Sequence, residues 1–385
     1  MLRGRWRVPI LLIGSALAIF AGAQLLPSST FFATSGNSAS KSEGLRLKRK
    51  MSISSKILAN GIDSAAFSPT GDYVAIGSMN SRHIVVWDLK NNREHLQFDT
   101  LGTGMNANAV SWSPDGRYIT DGRRKLPEGV LRLWDPMSGK VAREFAFAVD
   151  GQTEPARFNR DGTKMLLRMH PRGFDDFDFT IFDLRTGERK DFVSGISLHA
   201  ADWIGEKIAL FGGWPSARDG QVLDGIVHRG GELNLRIMDI SGSEGSQSIV
   251  IDGPRFNPKP SFPDRGYTGV YEIAVDPTER QVAVGLFSKD LEFRVVTVNL
   301  SPLQLQAQIS LGHTKPNGLF YFRDGEKFGV IHFGAEGTVY QSASGTPIMR
   351  IPGLAALGGV AVSRDGRLLS IGMSGELLIY EVIKN

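Results

Sequence analysis

The stretch that decides the fold is Trp112-Ser113-Pro114-Asp115-Gly116, followed after one apolar strand by a second, Gly129-Val130-Leu131-Arg132-Leu133-Trp134-Asp135. A Ser-Pro-Asp-Gly tetrapeptide is turn chemistry: proline presets φ, the Ser and Asp side chains bond back to the backbone, and glycine takes positive φ. The β-branched and leucine-rich run ending in Trp-Asp reads as a strand stopped by a polar residue.

The same unit recurs along the chain. Its turn position is held by Gly71, Gly116, Gly162, Gly205, Glu279, Gly325 and Gly366, with Glu279 standing in behind Asp276-Pro277-Thr278. Its strand ends are Trp87-Asp88, Trp134-Asp135, Phe182-Asp183, Met238-Asp239, Val298-Asn299, Tyr340-Gln341 and Tyr380-Glu381, so both markers count seven. The spacing is 45 positions from Gly71 to Gly116 and 46 from Gly116 to Gly162, then 74 from Gly205 to Glu279, where an insertion of about half a repeat is expected. Units of this period cannot bury two apolar faces alone and stack on copies of themselves, which predicts an all-β, seven-bladed propeller.

Each unit reads as four strands. In the first these are Ala65-Ala66-Phe67, Tyr73-Val74-Ala75-Ile76, Ile84-Val85-Val86-Trp87 and the more polar Glu94-His95-Leu96-Gln97-Phe98. Continuous apolar second and third strands suit sheets covered on both faces, and a polar fourth strand suits an exposed edge. The seventh unit supplies only three strands before Asn385, whereas Leu45-Arg46-Leu47-Lys48-Arg49-Lys50-Met51-Ser52-Ile53 alternates with period two. That stretch is expected to add the missing strand and close the ring.

From about Leu45 onward the chain resembles the WD40-repeat family, most closely at Gly129 to Asp135 and at Trp87-Asp88. The resemblance implies a ring that binds proteins or peptides. The Gly-His pair common in that family occurs once, as Gly312-His313, so the hydrogen-bond tetrad built on it is not expected in most blades. Ser-Pro-Asp-Gly turns also occur in propellers similar to the TolB type and to quinoprotein dehydrogenases.

The 385 residues carry a formal charge of +4, concentrated in the N-terminal segment and Lys41 to Lys50, and no cysteine. A nucleic-acid-binding field over the ring is therefore not indicated, and thiolate chemistry, disulfides and cysteine metal sites are excluded. Arg3, Arg5 and Arg7 precede an uncharged apolar run, Val8 to Leu26, that contains the small-x-small string Ala21-Gly22-Ala23. This reads as a cleaved signal peptide or a retained signal anchor, and either exports the remainder of the chain, to a periplasmic or extracellular location. Residues 27–42 read as a flexible linker and 43–385 as the propeller, a monomeric ring with no membrane contact beyond that anchor.

Function is expected where the units differ. The second-to-third and fourth-to-first connections open on one face and lengthen at Asp121 to Glu128, Met169 to Asp178, Gly212 to Gly231 and Asp252 to Gly269. They bring Arg123, Arg124, Lys125, Arg172, Arg218, His228, Arg229, Arg255 and Arg265, and the aromatic residues Phe174, Trp214, Phe256 and Tyr267. Arginine forks and aromatic anchors are what protein and peptide interfaces use, although such residues also pack and solvate their own loops.

Catalytic signals are absent by comparison. Asp175-Asp176-Phe177-Asp178 has no calcium-loop spacing, Gly372-Met373-Ser374-Gly375 is no nucleophile elbow, and the seven histidines show no paired ligand spacing. His199 and His313, just ahead of first strands, suit a structural hydrogen bond better than ligation. No cofactor, metal or catalytic residue is expected. An exported interaction scaffold is thus set against a propeller enzyme of lactonase-like or quinoprotein-like type. The enzyme would need three or more His, Asp or Glu side chains at one height in the channel, for which the first-strand starts offer Asp63, Asn108, Glu154, His199, Glu272 and Asn317.

Overall fold

In the computed structural model the described residues are 44–52, 61–62, 64–78, 83–99, 110–124, 129–147, 152–153, 157–170, 178–192, 197–214, 222–223, 226–227, 233–240, 247–252, 269–287, 292–332, 336–351, 358–373 and 376–383. Their regular elements are strands, and all the strand pairings are antiparallel. They form seven sheets of four-strand width, numbered as blades one to seven in chain order, plus a small hairpin, Val222–Leu223 with Ile226–Val227. Ser42 to Asn385 makes one compact unit.

The ring is closed because each blade's first strand touches the next: Ser64–Phe67 with Val110–Trp112, and so round to Gly358–Val362, which touches Ser64–Phe67 again. Gly44–Ser52 is the outermost strand of blade seven, paired from Gly44 opposite Ile383 to Ser52 opposite Glu376, with one bulge between Leu47 and Arg49. The latch expected at Leu45 to Ile53 is therefore present, one residue out of phase at its ends.

The seven apolar clusters coincide with the seven blade interfaces. Leu133 of blade two meets Met165, Leu167 and Phe182 of blade three, and Leu166, Phe179 and Ile181 on that blade's other face meet Trp203 and Ile208 of blade four. Blade five divides in the same way: Val282, Val284 and Val296 face blade four, while Ala283 and Val295 face blade six. Period-two alternation thus serves two cores, which is why apolar residues stand at consecutive positions of the second and third strands, as in Tyr73–Gly77 and Gln281–Phe287. Exposure returns on the fourth strands, such as Leu303–Gly312 and Pro347–Ile351.

The turn motif has a physical role at each residue. Ser113 Oγ donates to Asp115 Oδ1 at 2.7 Å and accepts from the Tyr118 N–H at 2.9 Å, while the Arg117 N–H donates to Asp115 at 3.0 Å. Blade seven repeats this with Ser363, Asp365, Arg367 and Leu368. Glu279 takes φ of +60°, so the glycine substitute inferred from spacing does adopt the left-handed conformation.

The strand-end aspartates cap the third-to-fourth turns: Asp88 accepts from the Asn91 N–H, Asp135 from the Met137 N–H and Asp183 from the Thr186 N–H, each at 2.8 Å. Those backbone donors hold all three carboxyls below the usual carboxylate range. Between blades, a cation of one donates to a backbone carbonyl of the next: Arg49 to Lys90, Arg143 to Leu184, Lys190 to Ile240, Arg280 to Asp324 and Arg323 to Asp365. His313, of the single Gly-His pair, is exposed.

Candidate binding surfaces

The first strands line a central channel, a cavity of about 520 Å³ walled by all seven blades. Strand register fixes which side chains share a height. In each blade the pairing of the first two strands sets one first-strand residue opposite a residue one or two positions into the second strand: Ala66 opposite Ala75, Ser111 opposite Thr120, Arg157 opposite Leu166, Asp202 opposite Ala209, and Ala274 opposite Ala283. Phe320 and Ala361 complete the layer in blades six and seven. Arg157 and Asp202 are therefore neighbours in one ring of seven, and Glu272, two residues from Ala274, lies toward the long-loop face. The Arg157 guanidinium reaches Glu272 at 3.8 Å, past blade four, with side chains 42% and 33% exposed into the channel.

Electrostatics follow from that placement. Desolvation pushes the Asp202 carboxyl up, opposed by the Arg157 charge, and Asp202 in turn raises the Arg157 guanidinium. Arg157 is held by its backbone, because the buried Trp203 indole N–H donates to the Arg157 carbonyl at 2.8 Å. That bond also braces blade three, whose first strand is broken into Gln152–Thr153 and Arg157–Phe158.

Among the first-strand starts, Glu272 and Asn317 line the channel. Asp63, Asn108 and Glu154 lie outside the described residues, as does the side chain of His199. No group of three or more His, Asp, Glu or Cys able to hold a metal exists among the described residues. Asp202 escaped the sequence reading because blade four turns through only two residues, Gly205 and Glu206, between Ile204 and its partner Lys207. Counting back from Gly205 aligns Asp202 with the turn serine, whereas the ladder aligns it with Ala66.

At the opposite face the inserted connections are shorter than their composition suggested. Asp121 to Arg124 continue a strand, with Arg123 opposite Val130 and Arg124 opposite Gly129; Met169 pairs with Asp178, and Asp252 with Leu233. Trp214 ends the strand Lys207–Trp214, opposite Ser197. Lys125, Arg172, Phe174, Arg218, His228, Arg229, Arg255, Phe256, Arg265 and Tyr267 lie outside the described residues. The hairpin of Val222–Leu223 with Ile226–Val227 belongs to the longest connection, between Trp214 and Leu233.

Residues 53–88 match the family model "WD domain, G-beta repeat". Among curated proteins, the Periodic tryptophan protein 2 homolog of Dictyostelium discoideum is 31% identical over 90 residues, which is 23% of this chain and only 9% of that protein. Among solved structures, the β-propeller domain of Cps50 (Swd1) from Myceliophteria thermophila superposes with a TM-score of 0.61 at 17% identity, covering 88% of this chain and 100% of that one. That likeness shows the fold: a seven-bladed propeller with degenerate repeats.

Proposed function

We propose that the ring is an exported interaction scaffold that binds a protein, peptide or envelope polymer across its long-loop face. The observation that carries this is the asymmetry between the two faces. On one, the first-to-second and third-to-fourth turns are short and chemically alike. On the other, the connections at 125–128, 171–177, 215–232 and 253–268 differ in length and composition and gather in blades two to five. Insertions confined to one face of a repeat protein mark its binding face. The match to a WD domain over 53–88 supports protein binding, since rings of this kind generally bind protein partners. Export rests on Arg3, Arg5 and Arg7 ahead of Val8 to Leu26; no described helix is long and apolar enough to cross a membrane, and this run lies outside the described residues.

Trp214 and Leu233 end adjacent strands, so a short Gly-Ser link can replace 215–232 without parting the ladder. We expect the tagged full chain to be recovered from the envelope fraction with a stoichiometric partner, and the linked variant to melt at the same temperature yet retain less than a tenth of it. Equal retention by the two proteins would contradict the reading.

A further inference from the structure

The face that blade six turns toward blade five changes character along its length. Phe328, Val330 and Tyr340 are buried there against Ala283, Val295 and Ile309 of blade five. Period-two alternation carries the same face on to His332 in the second strand, and to Thr338 and its partner Arg350 in the third and fourth. At that end the two blades part. They leave a cleft of about 840 Å³, whose blade-five wall includes Leu311 and Thr314.

His332 is the anomaly in this wall. It is 6% exposed, and its Nδ1 is buried with no hydrogen-bond partner among the described residues. Burial holds the imidazole below its usual range, so the ring is neutral at neutral pH and carries one donor and one acceptor. A buried polar atom without a partner costs stability, and packing alone gives no reason for a histidine where a leucine would fill the same position. The rest of the wall is apolar or hydroxylic, and its two described charges cancel: Arg350 Nη1 lies 3.3 Å from Glu336 Oε2, with both side chains exposed at the lip. Ile348, on the outer strand Pro347–Ile351, is half exposed beside them, so the cleft is entered from the outer rim of the ring, between that strand and Leu303–Gly312.

These features select a ligand. A charged group gains little from a neutral imidazole and a cancelled ion pair, and a wholly apolar one leaves the imidazole nitrogen without a partner. A hydroxyl both donates and accepts, and so serves either tautomer of His332. An aromatic ring fills the apolar width and offers its face to the Arg350 guanidinium. Tyrosine is the side chain that combines the two. We propose that the cleft between blades five and six is a second binding site, which takes a tyrosine side chain of a partner with its hydroxyl on His332. The site lies on the outer rim and is independent of the long-loop face.

The test is a methyl NMR titration of the full chain with p-cresol, the tyrosine side-chain analogue, and toluene, the phenylalanine analogue. We expect p-cresol to shift the methyls of Ile309, Leu311 and Ile348 and to bind at least tenfold more tightly than toluene. His332→Leu should melt no lower than the unaltered chain and bind the two analogues equally; a merely structural role for His332 would not remove a preference for the hydroxyl. No binding of p-cresol, equal binding of the two analogues by the unaltered chain, shifts that miss those methyls, or a preference that survives His332→Leu would overturn the proposal. Should His332→Leu fail to fold, Ile348→Asp at the exposed lip takes its place and should weaken both analogues at least tenfold, unchanged affinity there being the contrary result. The variant linked across 215–232 should bind p-cresol like the unaltered chain, so loss of the long-loop partner and loss of the rim site are read separately.

Discussion

Deleting Gly44–Ser52 should leave no stable monomeric ring. The strand makes the outer ladder of blade seven, and its Met51 is only 1% exposed, packed with Ile62, Phe67, Val74, Leu377 and Ile379 where blades seven and one meet. Leu45, at its other end, packs on the cluster between blades six and seven that includes Tyr380 and Val382. Truncating a buried methionine to alanine costs about 2–5 kcal/mol, against a whole-domain stability of about 5–15 kcal/mol. Met51→Ala should therefore lower the unfolding free energy by about 2–5 kcal/mol, and removing the entire strand should exceed what the ring can lose. It would also open the edge of Glu376–Ile383, a template for pairing with other chains, so the expected product is associated or unfolded protein in sedimentation and circular dichroism. The ion pairs of Arg46 and Lys48 with Glu381 and of Lys50 with Glu376 are exposed, and replacing those three cations by alanine should change stability little. A deletion variant that melts like the full chain would show that the latch is dispensable.

Gly325→Ala should be the most damaging single glycine change at the turns. Gly325 sits at φ +72°, and a Cβ there would lie 2.6 Å from Asp276 Oδ2 and closer still to Oδ1. Asp276 cannot yield easily: it is fully buried, and its carboxylate accepts from the Thr278 N–H, the Thr278 hydroxyl and the Arg280 N–H that hold the turn of blade five. The left-handed backbone costs a non-glycine residue about 1–2 kcal/mol, and overpacking adds about 1–3 kcal/mol. Gly187 separates the two terms, because its φ is +78° and nothing lies within 4 Å of the added carbon. Gly187→Ala should cost only the first, and Gly325→Ala about 2–5 kcal/mol in denaturant unfolding. Equal losses at the two positions would mean that the turns of blades five and six do not lean on each other.

The fold was legible because its punctuation is chemical. The serine, aspartate and glycine positions of the turn each have a defined role, and the glycine position could be recognised even in Glu279, whose φ of +60° bears the reading out. The latch was legible from its alternation and from the strand that blade seven lacked. Binding surfaces were less so, for two physical reasons. A strand continues while its ladder has partners, whatever its composition, so Asp121-Gly122-Arg123-Arg124 reads as a polar loop yet pairs through to Gly129. Height in the channel, in turn, is set by strand pairing and not by distance from the turn. The two-residue turn at Gly205 and Glu206 therefore moved Asp202 from an apparent turn position into the same layer as Arg157.

The closed ring is tested most directly by a cross-link through the latch. The chain has no cysteine of its own, so Leu45→Cys with Val382→Cys introduces one pair only. These residues face each other across the ladder, whereas Glu381, the partner of Arg46, points to the opposite face of the sheet from Leu45. Mild oxidation followed by peptide mass spectrometry should give a disulfide within one chain for the facing pair, and none for the control carrying Leu45→Cys with Glu381→Cys. Linkage of the control pair, absence of both, or disulfides that join two chains would contradict a ring sealed by its own leading strand.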